Sequence, residues 1–142
     1  MSVFTEKEIE YLRDQRLGRL ATVNARGEPH VVPVAFRYNE EADAVDIGGL
    51  RIAKTKKYRD AGSTGRVAFV VDDVLPPWRA RGVEIRGRAE IHGEGGGEIG
   101  SGFAPELIRI HPERIVSWGL DSDAFSRNSA SAPSISFSLR IR

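Results

Sequence analysis

Apolar and polar positions along this chain alternate mostly with a period of two, interrupted by two short amphipathic turns and several glycine or proline breaks. Thr5-Glu6-Lys7-Glu8 has the form of a helix start. Thr5 caps, Glu8 reaches back, and Phe4 and Ile9 stand as a hydrophobic staple, so a short helix through about Gln15 is predicted. Leu17 to Asn24 and Pro29 to Tyr38 are apolar strands joined by Ala25-Arg26-Gly27-Glu28, a hairpin-length connection whose glycine tolerates positive φ. After the turn at Asn39 to Asp43 a third strand, Ala44 to Gly49, leads into a Lys-bearing helix of about Ala53 to Ala61, with Gly62 as its stop.

The second half continues the pattern. Val67 to Val71 is an unbroken apolar run, which predicts a barrel-wall strand covered on both sides. Pro76-Pro77 forces an exposed loop before a long strand, Gly82 to His92. Six of the ten residues from Gly93 to Gly102 are glycine. A dinucleotide-binding turn needs a preceding strand in a βαβ unit and an apolar helix after it, and neither flank fits, so a flexible surface loop is predicted. Glu106 to Leu120 reads as a strand, a Pro112 turn and another strand. Asp121 to Pro133 is polar and Ser-rich, predicting poor order, and Ser134 to Ile141 alternates like a final edge strand or a partner-contacting tail. Six or so short strands with two helices make a mainly β chain, best closed as a small antiparallel barrel. The domain is single, spanning 1–142, with an N-terminal helix in 1–16 and a partly flexible tail in 121–142.

Composition narrows the chemistry. The 142 residues suit one domain, and 21 basic against 20 acidic residues give a net charge of +1, too balanced to draw in nucleic acid or an anionic membrane. Any basic site is local. No cysteine is present, which removes disulfides, thiolate metal sites and cysteine nucleophiles. No apolar run reaches the roughly 20 residues of a membrane span, and residues 1–16 do not form a signal core, so a cytoplasmic protein is expected. Of the basic residues 17 are Arg and 4 are Lys, yet three of the four Lys stand at 54, 56 and 57. Lys54-Thr55-Lys56-Lys57, set after a Gly-containing strand end and at a helix start, outlines a phosphate site: free amides, the positive end of the helix dipole, a hydroxyl and ammonium groups. His30, His92 and His111 lack metal-ligand spacing, and Ser63, Ser101 and Ser117 have no His-and-acid companion, so no metal and no hydrolytic triad is expected.

The order Gly27-Glu28-Pro29-His30-Val31-Val32-Pro33-Val34-Ala35-Phe36-Arg37, Asp46-Ile47-Gly48-Gly49, Thr55-Lys56-Lys57 and Arg66 to Asp73, with Ile108 to Gly119 behind it, resembles the FMN-binding split β-barrel family of pyridoxamine 5'-phosphate oxidase and the coenzyme F420-dependent reductases. The resemblance covers about residues 15–120. It implies a homodimer of split barrels with the cofactor in a groove between them. It further implies cofactor contacts from Val32, Pro33, Val34, Ala35 and Arg37 on one strand and Ile47 and Gly48 on the next. Lys54, Thr55, Lys56 and Lys57 become the phosphate clamp, Trp78 covers the ring system or the partner's site or else anchors the dimer, and Arg51, Arg79 or Arg81 pairs with the carboxylates of the deazaflavin coenzyme's acidic tail. The oxidase pattern begins its cofactor strand with Arg where this chain has Val32, and its C-terminal Arg-x-His has no counterpart after Trp118. Vitamin B6 oxidation is therefore not implied, and the deazaflavin branch is. The expected activity is hydride transfer from reduced coenzyme F420 to a small organic acceptor, with an FMN oxidoreductase, or a non-catalytic deazaflavin or heme binder, as alternatives. Hydride transfer needs no side-chain acid or base, so no catalytic residue is named.

Overall fold

The computed structural model describes residues 1–121 and 139–142. Helix α1 (Glu6–Asp14) precedes β1 (Leu17–Val23), β2 (Pro29–Asn39) and β3 (Ala44–Gly48); a 3-10 turn at Ile52–Lys54 leads into α2 (Lys56–Thr64). The chain then runs through β4 (Arg66–Leu75), β5 (Arg79–His92), β6 (Leu107–Trp118) and β7 (Leu139–Ile141). The strand order is β3-β2-β1-β4-β5-β6-β7, and β3 also pairs with β6. Six antiparallel strands therefore close into a barrel, and β7 adds to the outside of β6. Closure through β3 and β6 covers much of the strand edge that an open sheet would expose, although Pro29 to Val34 of β2 and Val71 to Leu75 of β4 pair on one side alone.

Period-two side chains fill the barrel. Leu20, Val34, Phe36, Phe69, Val71, Val83, Ile85 and Ile110 point inward and are buried, and the Phe36 and Phe69 rings meet edge-on with centroids 5.2 Å apart. The seam is also locked by charge: Arg109 donates to both oxygens of buried Asp46 at 2.8 and 3.0 Å, with Asn39 Nδ2 at 2.9 Å from Asp46 Oδ2. Helix α1 starts at the expected capping box, and Phe4 stacks edge-on with Tyr38 at 5.6 Å. Helix α2 packs on β1 and β5 with Ala61 in the core.

Several expectations are corrected. The Lys-bearing helix is two pieces, and it stops at Gly65 rather than Gly62: Gly65 takes φ 68°, a left-handed conformation that suits a residue without Cβ, and its N–H bonds Ala61 O. Gly62 lies inside the helix, where it lets Ile91 approach. The Val67–Val71 run is covered fully on one face only; Val67, Phe69 and Val71 are buried, while Ala68 and Val70 face outward and are half-buried. The expected Pro112 turn does not form. Strand β6 runs through it, because a register shift against Arg86 and Gly87 accommodates the proline, which has no N–H to give the ladder.

The glycine-rich stretch is not a loose loop. Gly96 is buried in a short 3-10 turn and donates to Pro105 O at 2.8 Å, and a Cβ there would stand 2.0 Å from Ala104 O. Ala104 N bonds Gly49 O at 3.0 Å, so the segment is tied back to the end of β3. The glycines allow close packing rather than freedom. Of the segment from Ser134 to Ile141, read as an edge strand or a partner-contacting tail, residues 139–141 form a short edge strand, Val116 pairing with Ile141; its first part, and the poorly ordered stretch expected at 121–133 beyond Asp121, lie outside the described residues.

Candidate functional site

The strand β2 alternates, and its register divides the residues expected at the cofactor. Val34 is buried and Val32 packs against the core, so both point into the barrel. Pro33, Ala35 and Arg37 point outward. Arg37 is held by Glu98 of the glycine-rich segment at 3.1 Å. On β3, Ile47 is fully buried, and Gly48 is roofed by Ile99 and Phe103 of the same segment. Outward-facing Arg37 and Gly48 thus lie beneath or beside residues 98–103, a covering that no spacing in the sequence announced.

The Lys-bearing turn is built around Thr55. Its hydroxyl accepts from Tyr58 N at 3.3 Å as the N-cap of α2 and gives its proton to Ile52 O at 2.6 Å, so that donor is already used. Lys56 Nζ lies 2.5 Å from Asp60, a buried carboxylate one turn on. Lys54 is exposed at the end of the 3-10 turn. Lys57 differs from all three. It is half-buried, burial lowers its pKa below the ordinary lysine value, and no carboxylate pairs with it among the described residues. The first-turn N–H groups of Lys56 and Lys57 have no helical carbonyl to bond, and the helix dipole adds positive potential there. A desolvated ammonium beside free amides can bind an oxyanion. Exposed Leu50, adjoining the turn, adds an apolar surface.

Trp78 and Arg79 stand apart, on the hairpin joining β4 and β5. Trp78 is 55% exposed, and Arg79 Nε donates to Pro76 O at 3.1 Å within the same hairpin. The histidines also depart from their linear spacing. His92 and His111, on neighbouring strands, both reach Glu90 Oε1, at 2.5 and 3.2 Å. The register that sets His111 opposite Arg88 explains it. No group of three or more His, Asp or Glu side chains suited to a metal ion occurs among the described residues.

Comparison with known proteins now decides the family. The model for the pyridoxamine 5'-phosphate oxidase family matches residues 4–118. The chain belongs to that family. A reviewed relative from Streptomyces rimosus, a 5a,11a-dehydrotetracycline/5a,11a-dehydrooxytetracycline reductase, is 50% identical over 122 residues, covering 84% of this chain and 86% of the relative. Among solved structures, the conserved hypothetical protein Rv2991 from Mycobacterium tuberculosis superposes with a TM-score of 0.67 at 22% identity, covering 95% of this chain and 92% of that one. An FAD binding protein from Mycobacterium smegmatis superposes at 0.61 and 20% identity, covering 82% and 96%. At these identities the structural likenesses establish the split-barrel fold alone, and the fold is the one expected. Among the described residues no helix is long and apolar enough to cross a membrane.

Proposed function

We propose that this protein is a reductase that binds a phosphorylated flavin-type coenzyme, coenzyme F420 in preference to FMN, and reduces a small organic acceptor. The observation that carries the reading is Lys57: a partly desolvated ammonium, without an acidic partner among the described residues, on the first turn of α2. Lys57 would hold the coenzyme phosphate together with the Lys56 and Lys57 amides, while Asp60 keeps Lys56 oriented at the same turn. Pro33 and Ala35 on the outward face of β2, with Leu50, supply small apolar surface against which a ring system excludes water. Held there by Lys57 and the α2 amides, the coenzyme would supply hydride chemistry. The acceptor class follows from the Streptomyces rimosus relative, whose name specifies a dehydro substrate. In such a reduction the acceptor's carbon–carbon double bond would take up a hydride at one carbon and a solvent proton at the other, with two-electron oxidation of the reduced coenzyme as the balancing change. F420 stands before FMN because Val32 occupies the position of the flavin pattern's arginine and points into the core.

Calorimetric titration with F420 and FMN, on the native protein and Lys57→Ala, tests the reading. Loss of a charge-assisted contact to a partly buried phosphate costs about 1.5–3 kcal/mol, roughly tenfold to a hundredfold in Kd. Lys56→Ala has the smaller effect, since its charge is shared with Asp60. Affinity also falls as pH rises through the lowered pKa of Lys57, because only the ammonium form attracts the anion. Tighter binding of FMN than of F420 would transfer the reductase reading to the flavin. Unchanged affinity in Lys57→Ala removes the clamp. Reduced F420 with 5a,11a-dehydrotetracycline is the first acceptor to assay.

A further inference from the structure

Residues 96–104, between β5 and β6, form a strap across the end of β3. Gly48 is the direct partner of Ala35 in the β2–β3 register, so both stand on the outward face of the sheet. A Cβ on Gly48 would lie 2.9 Å from Ile99 Cδ1 and 3.0 Å from Phe103 Cδ2. The missing side chain therefore lets these two residues rest on the sheet directly beside Ala35, and both remain half-exposed. The strap is fixed at its two ends: Gly96 N bonds Pro105 O at 2.8 Å, and Ala104 N bonds Gly49 O at 3.0 Å. A rigid backbone thus holds two open apolar side chains against the outward face of β2 and β3.

Outward positions on a strand recur about every 6.6 Å, and the one beyond Ala35 is Arg37. Its guanidinium lies 3.1 Å from Glu98 of the strap, in a pair whose side chains are 40 and 72% exposed. A pair so open to solvent contributes about 1 kcal/mol or less, so a ligand oxygen can take the place of Glu98.

A cavity of about 350 Å³ opens at this point, its lining including Phe36, Arg37 and Ile99 together with Leu12, Arg13 and Gln15. Small-molecule sites run from about 300 to 1,000 Å³, so this one suits part of a ligand whose remainder lies along the strap. Arg13 is engaged within the fold, 5.5 Å from the Tyr38 ring centre and 3.4 Å from Glu40. Arg37 is the cation here that can turn to a ligand.

We infer that Ile99, Phe103 and Arg37 form the acceptor's binding site: a flat polycyclic ketone lays its apolar face on the strap and gives a keto or enolate oxygen to Arg37. Glu98 is then an internal competitor that the acceptor displaces. The family resemblance implies coenzyme contacts for Arg37 and Gly48; the strap gives them to the acceptor instead, Gly48 by admitting Ile99 and Phe103. The chemistry of the acceptor rests on the reductase reading above, whereas its binding to the strap needs no coenzyme.

Tetracycline, the reduced counterpart of the dehydro substrate in the relative's name, is the probe. It is titrated by fluorescence into the intact protein, first without coenzyme and then with F420 present. The native protein should bind it without coenzyme, with amide NMR shifts gathered at Ala35, Arg37, Gly48 and residues 98–103. Arg37→Gln should lose roughly tenfold in affinity and Ile99→Ala about fivefold, at melting temperatures near the native value. Glu98→Gln should instead gain about twofold to fivefold, because its guanidinium partner is freed; a purely structural role for the ion pair would loosen the strap and weaken binding. No binding of tetracycline to the native protein, full affinity in either Arg37→Gln or Ile99→Ala, unchanged or weaker binding in Glu98→Gln, or shifts gathered at Thr55 to Tyr58 would each overturn the inference. If F420 fails to bind while the coenzyme-free titrations behave as stated, the coenzyme assignment falls and this site stands.

Discussion

Glu8 shows how one side chain can serve a local and a distant role at once. Its carboxylate receives the Thr5 N–H at 2.9 Å and closes the capping box, while the Ser117 hydroxyl donates at 2.6 Å and Arg142 grips both oxygens. Burial alone would raise its pKa, but the Arg142 and Ser117 bonds outweigh that and hold it below the usual carboxylate range. The Thr-x-x-Glu pattern disclosed the cap from the sequence; nothing in it disclosed Ser117 or Arg142, more than a hundred residues away. Glu8→Ala strips the cap and leaves the buried Ser117 hydroxyl unpaired, at a cost of about 3 kcal/mol read by urea unfolding. The pH dependence follows from the lowered value: the contribution is complete above the unfolded pKa, near 4.5, and is lost as pH falls through the folded one. Acid unfolding of Glu8→Gln, compared with the native protein between pH 5 and 2, should therefore show a shallower loss. At Lys57 the balance of legibility was similar. The triplet of lysines was visible, but only the fold separates half-buried Lys57 from exposed Lys54, from Lys56, which Asp60 engages, and from Thr55, whose proton Ile52 O takes.

At the scale of elements, periodicity located the helices and strands because buried and outward positions alternate in register with the pleat. It failed where a boundary depends on backbone conformation or on a distant neighbour. Gly62 and Gly65 look alike in the sequence, yet one lies within α2 and the other adopts φ 68°. Gly65→Ala should destabilise by about 1 kcal/mol through the strained left-handed residue, with no offsetting gain. Gly62→Ala tests a different balance, helix propensity against a contact 3.1 Å from Ile91, and thermal melting of the two variants separates the roles, with Gly65→Ala the lower. The glycine-rich segment departs from its composition for the same reason: composition suggests freedom, whereas its glycines admit the backbone contacts that seat Ile99 and Phe103 on Gly48. Composition reports what backbone geometry is permitted, and tertiary contacts select among the options.

For the whole molecule, the apolar residues left outside the barrel are informative. Leu17, Val74 and Trp78 are exposed at 48, 46 and 55%, and all lie toward the β4–β5 hairpin end of the sheet. A second copy of the chain is the proposed cover for this surface, and equilibrium sedimentation at micromolar concentration should return the mass of a dimer. Trp78→Arg should shift that equilibrium toward monomer while the barrel, which does not use the side chain, stays folded. A monomer for the native protein would remove the dimer from the model of the site. The ring itself was foreseeable as an architecture from strand count alone, but its seam was not, since β3 and β6 are separated by nearly half the chain. That separation has a kinetic meaning. A loop of about 60 residues must close before β3 meets β6, so the seam pays its chain entropy late, after the local hairpins have formed. Asp46→Asn weakens the Arg109 lock within that seam. Stopped-flow measurements should find faster unfolding with a refolding rate nearly unchanged, the signature of a joint that is completed after the rate-limiting barrier rather than before it.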